Sequence, residues 1–187
     1  MFNNSIPKKL KSYQLPAYRT GRQASNGFTL IELLLYVSIA SVMMLVISIF
    51  LSTMLESRVK NQTIAEVEQQ GSQVMQVIMQ TARNAEAITS PAVGASASAL
   101  TLDVVTVAND PTVFNLLSGA IRITEGAGSA VPLTNSRVTA SALTFQNLSR
   151  ASTPGTIRIT FTLSHVNTSG RNEYNYSKTF YGSASLR

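Results

Sequence analysis

Glu32 is the one charge in an apolar run that extends from Phe28 to Leu55. A carboxylate inside such a helix costs on the order of 3 kcal/mol even on lenient insertion scales, so it needs a compensating partner or a task. The bland reading puts it near the membrane surface, where that cost fades. The Gly27-Phe28 pair just upstream offers a sharper one. A chain cut between them begins with an α-amine, cationic at neutral pH, at the positive end of a helix macrodipole. Glu32 follows one helical turn later, where its carboxylate can offset both terms within its own subunit or from a neighbour.

The elements that must hold these residues are legible in composition. Phe28 to Leu55 contains neither Pro nor Gly, and its 28 residues make a helix of about 42 Å, enough to span a bilayer core. Residues 1–27 carry Lys8, Lys9, Lys11, Arg19 and Arg22 and no acid, hence +5, out of a formal net charge of +6. From Phe28 onward 10 basic residues stand against 9 acidic ones, leaving +1. The basic character therefore belongs to the leader, not to a nucleic-acid-binding domain. The leader reads as disordered and cytoplasmic. Its charge excess, with Glu56, Glu66 and Glu68 beyond the apolar run, orients the N-terminus to the cytoplasm and the C-terminal part outward. A secretory signal peptide is the competing reading, but its apolar core is only about 7 to 15 residues long.

Gly27-Phe28-Thr29-Leu30-Ile31-Glu32, with the basic leader and the unbroken apolar helix, resembles the processing motif of type IV prepilins and of type II secretion pseudopilins. That resemblance implies a cut after Gly27 by a membrane prepilin peptidase, which is also the methyltransferase, N-methylation of Phe28, and a role for Glu32 in guiding filament assembly. Major subunits of the family commonly have a Gly and a Pro in the apolar half. This chain has neither between Phe28 and Gly71, which points to a minor pilin or pseudopilin. The long hairpin and tail at the C-terminus are similar to the J-type branch.

Beyond Leu55 the helical period continues. Ile64, Val67, Gly71, Val74, Ile78, Ala82 and Ala85 form one apolar stripe among glutamines, read as a core seam without a binding role of its own. Gly71 marks either a close approach of another backbone or a bend. Pro91 ends the helix, which extends from Phe28 to about Ile88. After a small-residue linker the period becomes two. Leu100, Leu102 and Val104, then Ile121 and Ile123, then Ile157, Ile159, Phe161 and Leu163 alternate with polar residues, and Tyr174, Tyr176 and Phe180 repeat the pattern. The fold class is α+β, a long N-terminal helix packed on a C-terminal antiparallel β-sheet domain. The organisation is a leader over 1–27, a transmembrane and assembly helix over 28–55, an amphipathic helix over 56–90 and an exported β domain over 91–187.

Other chemistry finds little material. Cysteine is absent and His165 is the only histidine, so no metal site or cofactor is expected. A Ser-His-Asp grouping from distant segments stays open, but no strained nucleophile turn accompanies it, and the chain is read as no enzyme. Tyr174, Tyr176 and Tyr181 with Arg171, Lys178 and Arg187 could face single-stranded nucleic acid, although the strand pattern favours core packing for the first two. Four Asn-x-Ser/Thr matches are of the kind chance supplies. The expected function is a structural subunit of a type IV pilus or a type II secretion pseudopilus. Its partners are other pilins, the peptidase and, before assembly, membrane lipid. The alternatives are a tip adhesin or DNA-uptake subunit, and an anchored β domain that never polymerises.

Overall fold

A computed structural model describes residues 27–151 and 154–187. The leader expected over 1–27 lies outside the described residues up to Asn26, as do Ser152 and Thr153 of a turn read from the sequence. The chain divides into two compact units, Met1–Val46 and Ile47–Arg187.

One helix, α1, covers Leu30–Arg83. Along Phe28 to Leu55 no residue is buried. Hydroxyls in this apolar stretch are turned onto the helix's own carbonyls: Ser38 donates to Leu35 O at 2.8 Å, Ser41 to Val37 O at 2.7 Å and Ser52 to Ser48 O at 3.0 Å. Such back-bonding leaves less polar surface unsatisfied in an apolar medium. From Thr63 the helix becomes one-sided, burying Val67, Gly71, Val74, Met75, Ile78 and Ala82. The expected stripe is the buried face, with Ile64 at its half-exposed margin.

The helix stops at Arg83, earlier than the expected boundary near Ile88. Asn84 closes the last turn by donating to Gln80 O and Thr81 O, both at 3.2 Å. Ala85–Ser90 then forms strand β1 and pairs antiparallel with β3 (Leu100–Val104). Tertiary pairing overrides the helix propensity of Glu86 and Ala87, because β3 would otherwise present an unpaired edge. The amphipathic helix therefore ends seven residues short of the expected 90, and Ala85, though buried, is a strand residue.

Among the described residues nine strands make two antiparallel sheets. The remaining strands of the first are β4 (Thr112–Leu117), β5 (Ala120–Glu125) and β6 (Val131–Pro132), in the order β1-β3-β4-β5-β6. The second contains β2 (Ser96–Ala97), β7 (Val138–Asn147), β8 (Thr156–His165) and β9 (Ser177–Ser185), in the order β2-β7-β8-β9. One core joins the helix stripe to both: Val74 and Ile78 cluster with Leu100, Leu102, Phe114 and Ile121 and with Phe145, Ile159, Phe161 and Leu163. In β7 the alternation breaks at a bulge. Val138 and Ala140 face inward, Ala142 takes φ 53°, and the inward face resumes at Leu143 and Phe145. One inserted residue re-aims every side chain after it.

At Gly71 something does approach closely, but it is not a backbone. A Cβ there would strike the ring of Phe180, which stacks on Phe161 with centroids 5.3 Å apart. The close approach is by a side chain on β9. Gly71→Ala is expected to destabilise the protein by about 1–3 kcal/mol through overpacking, although Ala gains about 1 kcal/mol in helix propensity. Unfolding of the full chain in detergent measures it, and adding Phe180→Leu should recover most of the loss. Equal stability of Gly71→Ala and wild type would remove the ring from contact with the helix.

Candidate processing and assembly site

Gly27, Phe28 and Thr29 precede the helix in non-helical backbone. Thr29 caps it, its Oγ1 accepting the amide N–H of Glu32 at 3.3 Å while its carbonyl accepts that of Leu33 at 3.1 Å. Thr29-Leu30-Ile31-Glu32 has the spacing of a capping box, in which the acid would reach back to the cap's amide. Here the Glu32 carboxylate is engaged elsewhere: Oε1 accepts a hydrogen bond from the Tyr36 hydroxyl at 3.3 Å. The Tyr36 ring in turn meets Phe28 edge to face, centroids 5.9 Å apart at 73°. Phe28, Glu32 and Tyr36 thus form one cluster at the start of the helix. At Gly27 a Cβ would meet nothing within 4 Å. Among the described residues, nothing in the chain's own packing demands glycine there.

Tyr36 is the residue that sequence reasoning missed, since it was counted into the apolar run. The signal was available, because positions i and i+4 share a helix face.

Residues 22–52 match the family model for the prokaryotic N-terminal methylation motif. The chain carries a prepilin-type N-terminus. The match covers this segment alone, and the motif is of the kind found in type IV prepilins and pseudopilins. The motif runs into a helix long and apolar enough to cross a membrane, which is the arrangement of a single-pass anchor. No curated protein and no solved structure matches the chain.

The other residues singled out lie in the β-bearing unit. His165 ends β8, with Nε2 3.8 Å from Glu66 Oε2 and its ring stacked on Tyr174 at 5.7 Å. Glu66 also accepts from Asn135 Nδ2 at 3.1 Å and lies 3.6 Å from the Arg137 guanidinium. Glu66, Arg137, His165 and Tyr174 line an open cleft of about 670 Å³, where Glu66 and Arg137 match each other's charge within the chain. Among the described residues no three His, Asp or Glu side chains converge as a metal site would require.

Tyr174 sits in a 3-10 turn (Asn172–Tyr174) and β9 begins only at Ser177, so Tyr174 and Tyr176 do not continue the Phe180 strand face as expected. The bond from His165 N–H to the Tyr176 carbonyl, at 2.9 Å, holds this loop in place of a ladder. Tyr176 packs against the core and donates to Glu68 at 3.4 Å, Arg171 pairs with Glu173, and Tyr181 stands exposed.

Lys178 donates to Glu68 Oε1 at 2.7 Å and ties β9 to the helix. The hydrogen bond from Lys178, then its charge, lowers the Glu68 pKa, and the hydrogen bond to Glu68 raises that of Lys178. The depressed carboxyl contributes stability that is present above the ordinary carboxylate range and lost as pH falls through its folded pKa. The raised amine contributes below the ordinary lysine range and loses it as pH rises through its own. Both side chains are close to half exposed, so the effect is small and weakened by salt. The wild type should melt slightly above Glu68→Gln at pH 7, and the gap should close below about pH 4. A gap that persists at pH 3 would show that the ion pair is not its source.

Proposed function

We propose that the chain is a minor pilin or pseudopilin, a structural subunit of a type IV pilus or a type II secretion pseudopilus. The observation that carries this reading is the motif match over residues 22–52, which brackets Gly27, Phe28 and Glu32 and runs into a helix surface whose apolar side chains are exposed among the described residues. The peptidase cuts between Gly27 and Phe28 and methylates the new amine of Phe28. The free space at Gly27 supports this, since a glycine not needed by the fold is one that an enzyme's cleft can require.

Residues 1–27 are then the cytoplasmic leader, 28–55 the membrane and assembly segment, 56–83 the amphipathic half of the helix, and the strands from Ala85 onward the exported domain. The Phe28 to Leu55 surface, held by lipid before assembly, exchanges those contacts for neighbouring pilins. The Glu32 carboxylate meets the α-amine at the subunit joint, where opposite charges in a dry setting attract far more strongly than in water. Absence of Gly and Pro from Phe28 to Gly71 supports the minor role. The basic residues Arg171 and Lys178, each held by a carboxylate, lend no support to a nucleic-acid surface.

The test is expression with a prepilin peptidase and the rest of a pilus machine. Mass spectrometry should find mature wild type beginning at methylated Phe28, and Gly27→Trp should keep its leader. Glu32→Ala should be inserted and cut, yet incorporated into filaments about tenfold less, as expected for a lost interaction worth ~1.4 kcal/mol. Wild-type chain that stays uncut beside an active peptidase would overturn the reading.

A further inference from the structure

We propose that Tyr36 is the positioning residue of the Glu32 carboxylate: its hydroxyl holds one carboxylate oxygen and leaves the other for an incoming α-amine, while its ring seats Phe28. The proposal rests on the assembly reading above and adds to it the side chain that prepares the acid.

Glutamate on a helix end exposed to lipid has three rotatable side-chain bonds and no water to order it. A carboxylate accepts through two oxygens. Oε1 is taken by the Tyr36 hydroxyl at 3.3 Å, and among the described residues Oε2 has no partner. The Ser38 and Ser41 hydroxyls donate to the carbonyls of Leu35 and Val37, and Thr29 Oγ1 engages Glu32 only through its backbone amide, as acceptor. Tyr36 is therefore the described side chain that meets the acid, and it sits one turn along, where helical side chains lean back toward the N-terminus. The same ring contacts Phe28 edge to face at 5.9 Å, a geometry aromatic pairs prefer. One side chain thus touches both the residue that receives the new amine and the residue that answers it. A Tyr acting only as an interfacial anchor would turn its hydroxyl to the headgroups and leave the carboxylate alone.

Two measurements on the full chain separate this role from the reading it depends on. The first uses uncut protein carrying ¹³C-labelled glutamate in phosphatidylcholine–phosphatidylglycerol vesicles. Glu32→Gln identifies the Glu32 carboxyl band in the infrared spectrum, and Tyr36→Phe, which keeps the ring and removes only the hydroxyl, should shift that band. An unshifted band overturns the proposal whether or not the protein forms filaments. The second compares filament incorporation at equal membrane level. Tyr36→Phe should be cut normally and incorporated about threefold to tenfold less, the range of a typical net hydrogen bond and no more than the loss from Glu32→Ala. In a Glu32→Ala background the same change should cost nothing further, because a residue acting through another is silent once that other is gone. An undiminished loss there would place the action of Tyr36 elsewhere and overturn the proposal. Normal incorporation of Glu32→Ala itself would instead overturn the assembly role of the acid, and the infrared shift would still decide the hydrogen bond.

Discussion

The structure depends on an apolar helix surface that stays exposed among the described residues. Leu30, Ile31, Val42, Met44, Ile47 and Phe50 are each more than half exposed, as are most of the apolar side chains between Phe28 and Leu55. Burying one such side chain fully is worth about 1.5–3 kcal/mol, so together they represent tens of kcal/mol that water cannot satisfy. Lipid or other helices must supply the cover. The polar groups along the run fit that medium, since the Ser38, Ser41 and Ser52 hydroxyls are folded onto helix carbonyls and its one acid has a hydroxyl partner.

The helix changes function with its sequence and without a break. Beyond Leu55, glutamines and charged residues occupy all but one face, and that face carries Val67, Gly71, Val74, Ile78 and Ala82 into the core. A β domain of this size buries too little surface alone, and the helix supplies the missing layer. Gly71 shows how closely that layer fits, with the Phe180 ring in the space a methyl would need. Gly182 does the same in reverse for Met75, whose sulfur occupies the place of a Cβ on β9.

What could be read from sequence followed from the strength of each local pattern. The 3.6-residue stripe from Val67 to Ala82 and the two-residue alternation of Ile157, Ile159, Phe161 and Leu163 are strong periods, and each is buried as the pattern implies. The helix end was misjudged because Glu86 and Ala87 are good helix formers that strand pairing with Leu100–Val104 recruits instead. β4 went unseen because Val113, Phe114, Leu116 and Leu117 put apolar groups on both faces and erase the alternation. In β7 the bulge at Ala142 breaks the period midway, so a single face could not be traced. The second sheet is a matter of tertiary packing that no local period encodes. At the N-terminus the motif was plain, but Tyr36 was hidden inside it, since an aromatic in an apolar run looks like one more hydrophobe until its hydroxyl is asked for a partner.

That hydroxyl bears on how such a helix can find its place among others. Apolar packing is strong but non-directional, and a surface exposed all around specifies neither register nor rotation. Helices that share such surfaces acquire register from a rare polar group, as a buried Asn does in coiled coils, at some cost in stability. In the proposed filament Glu32 is the sole candidate within the run from Phe28 to Leu55 for a charged pair. A carboxylate free to sample its rotamers would define the joint loosely. One already tethered through Oε1 presents Oε2 along a restricted direction and has less conformational entropy to lose when the amine arrives. With no glycine or proline before Gly71 to let the helix yield, the precision of assembly would rest on that restricted acid and not on a pliant backbone.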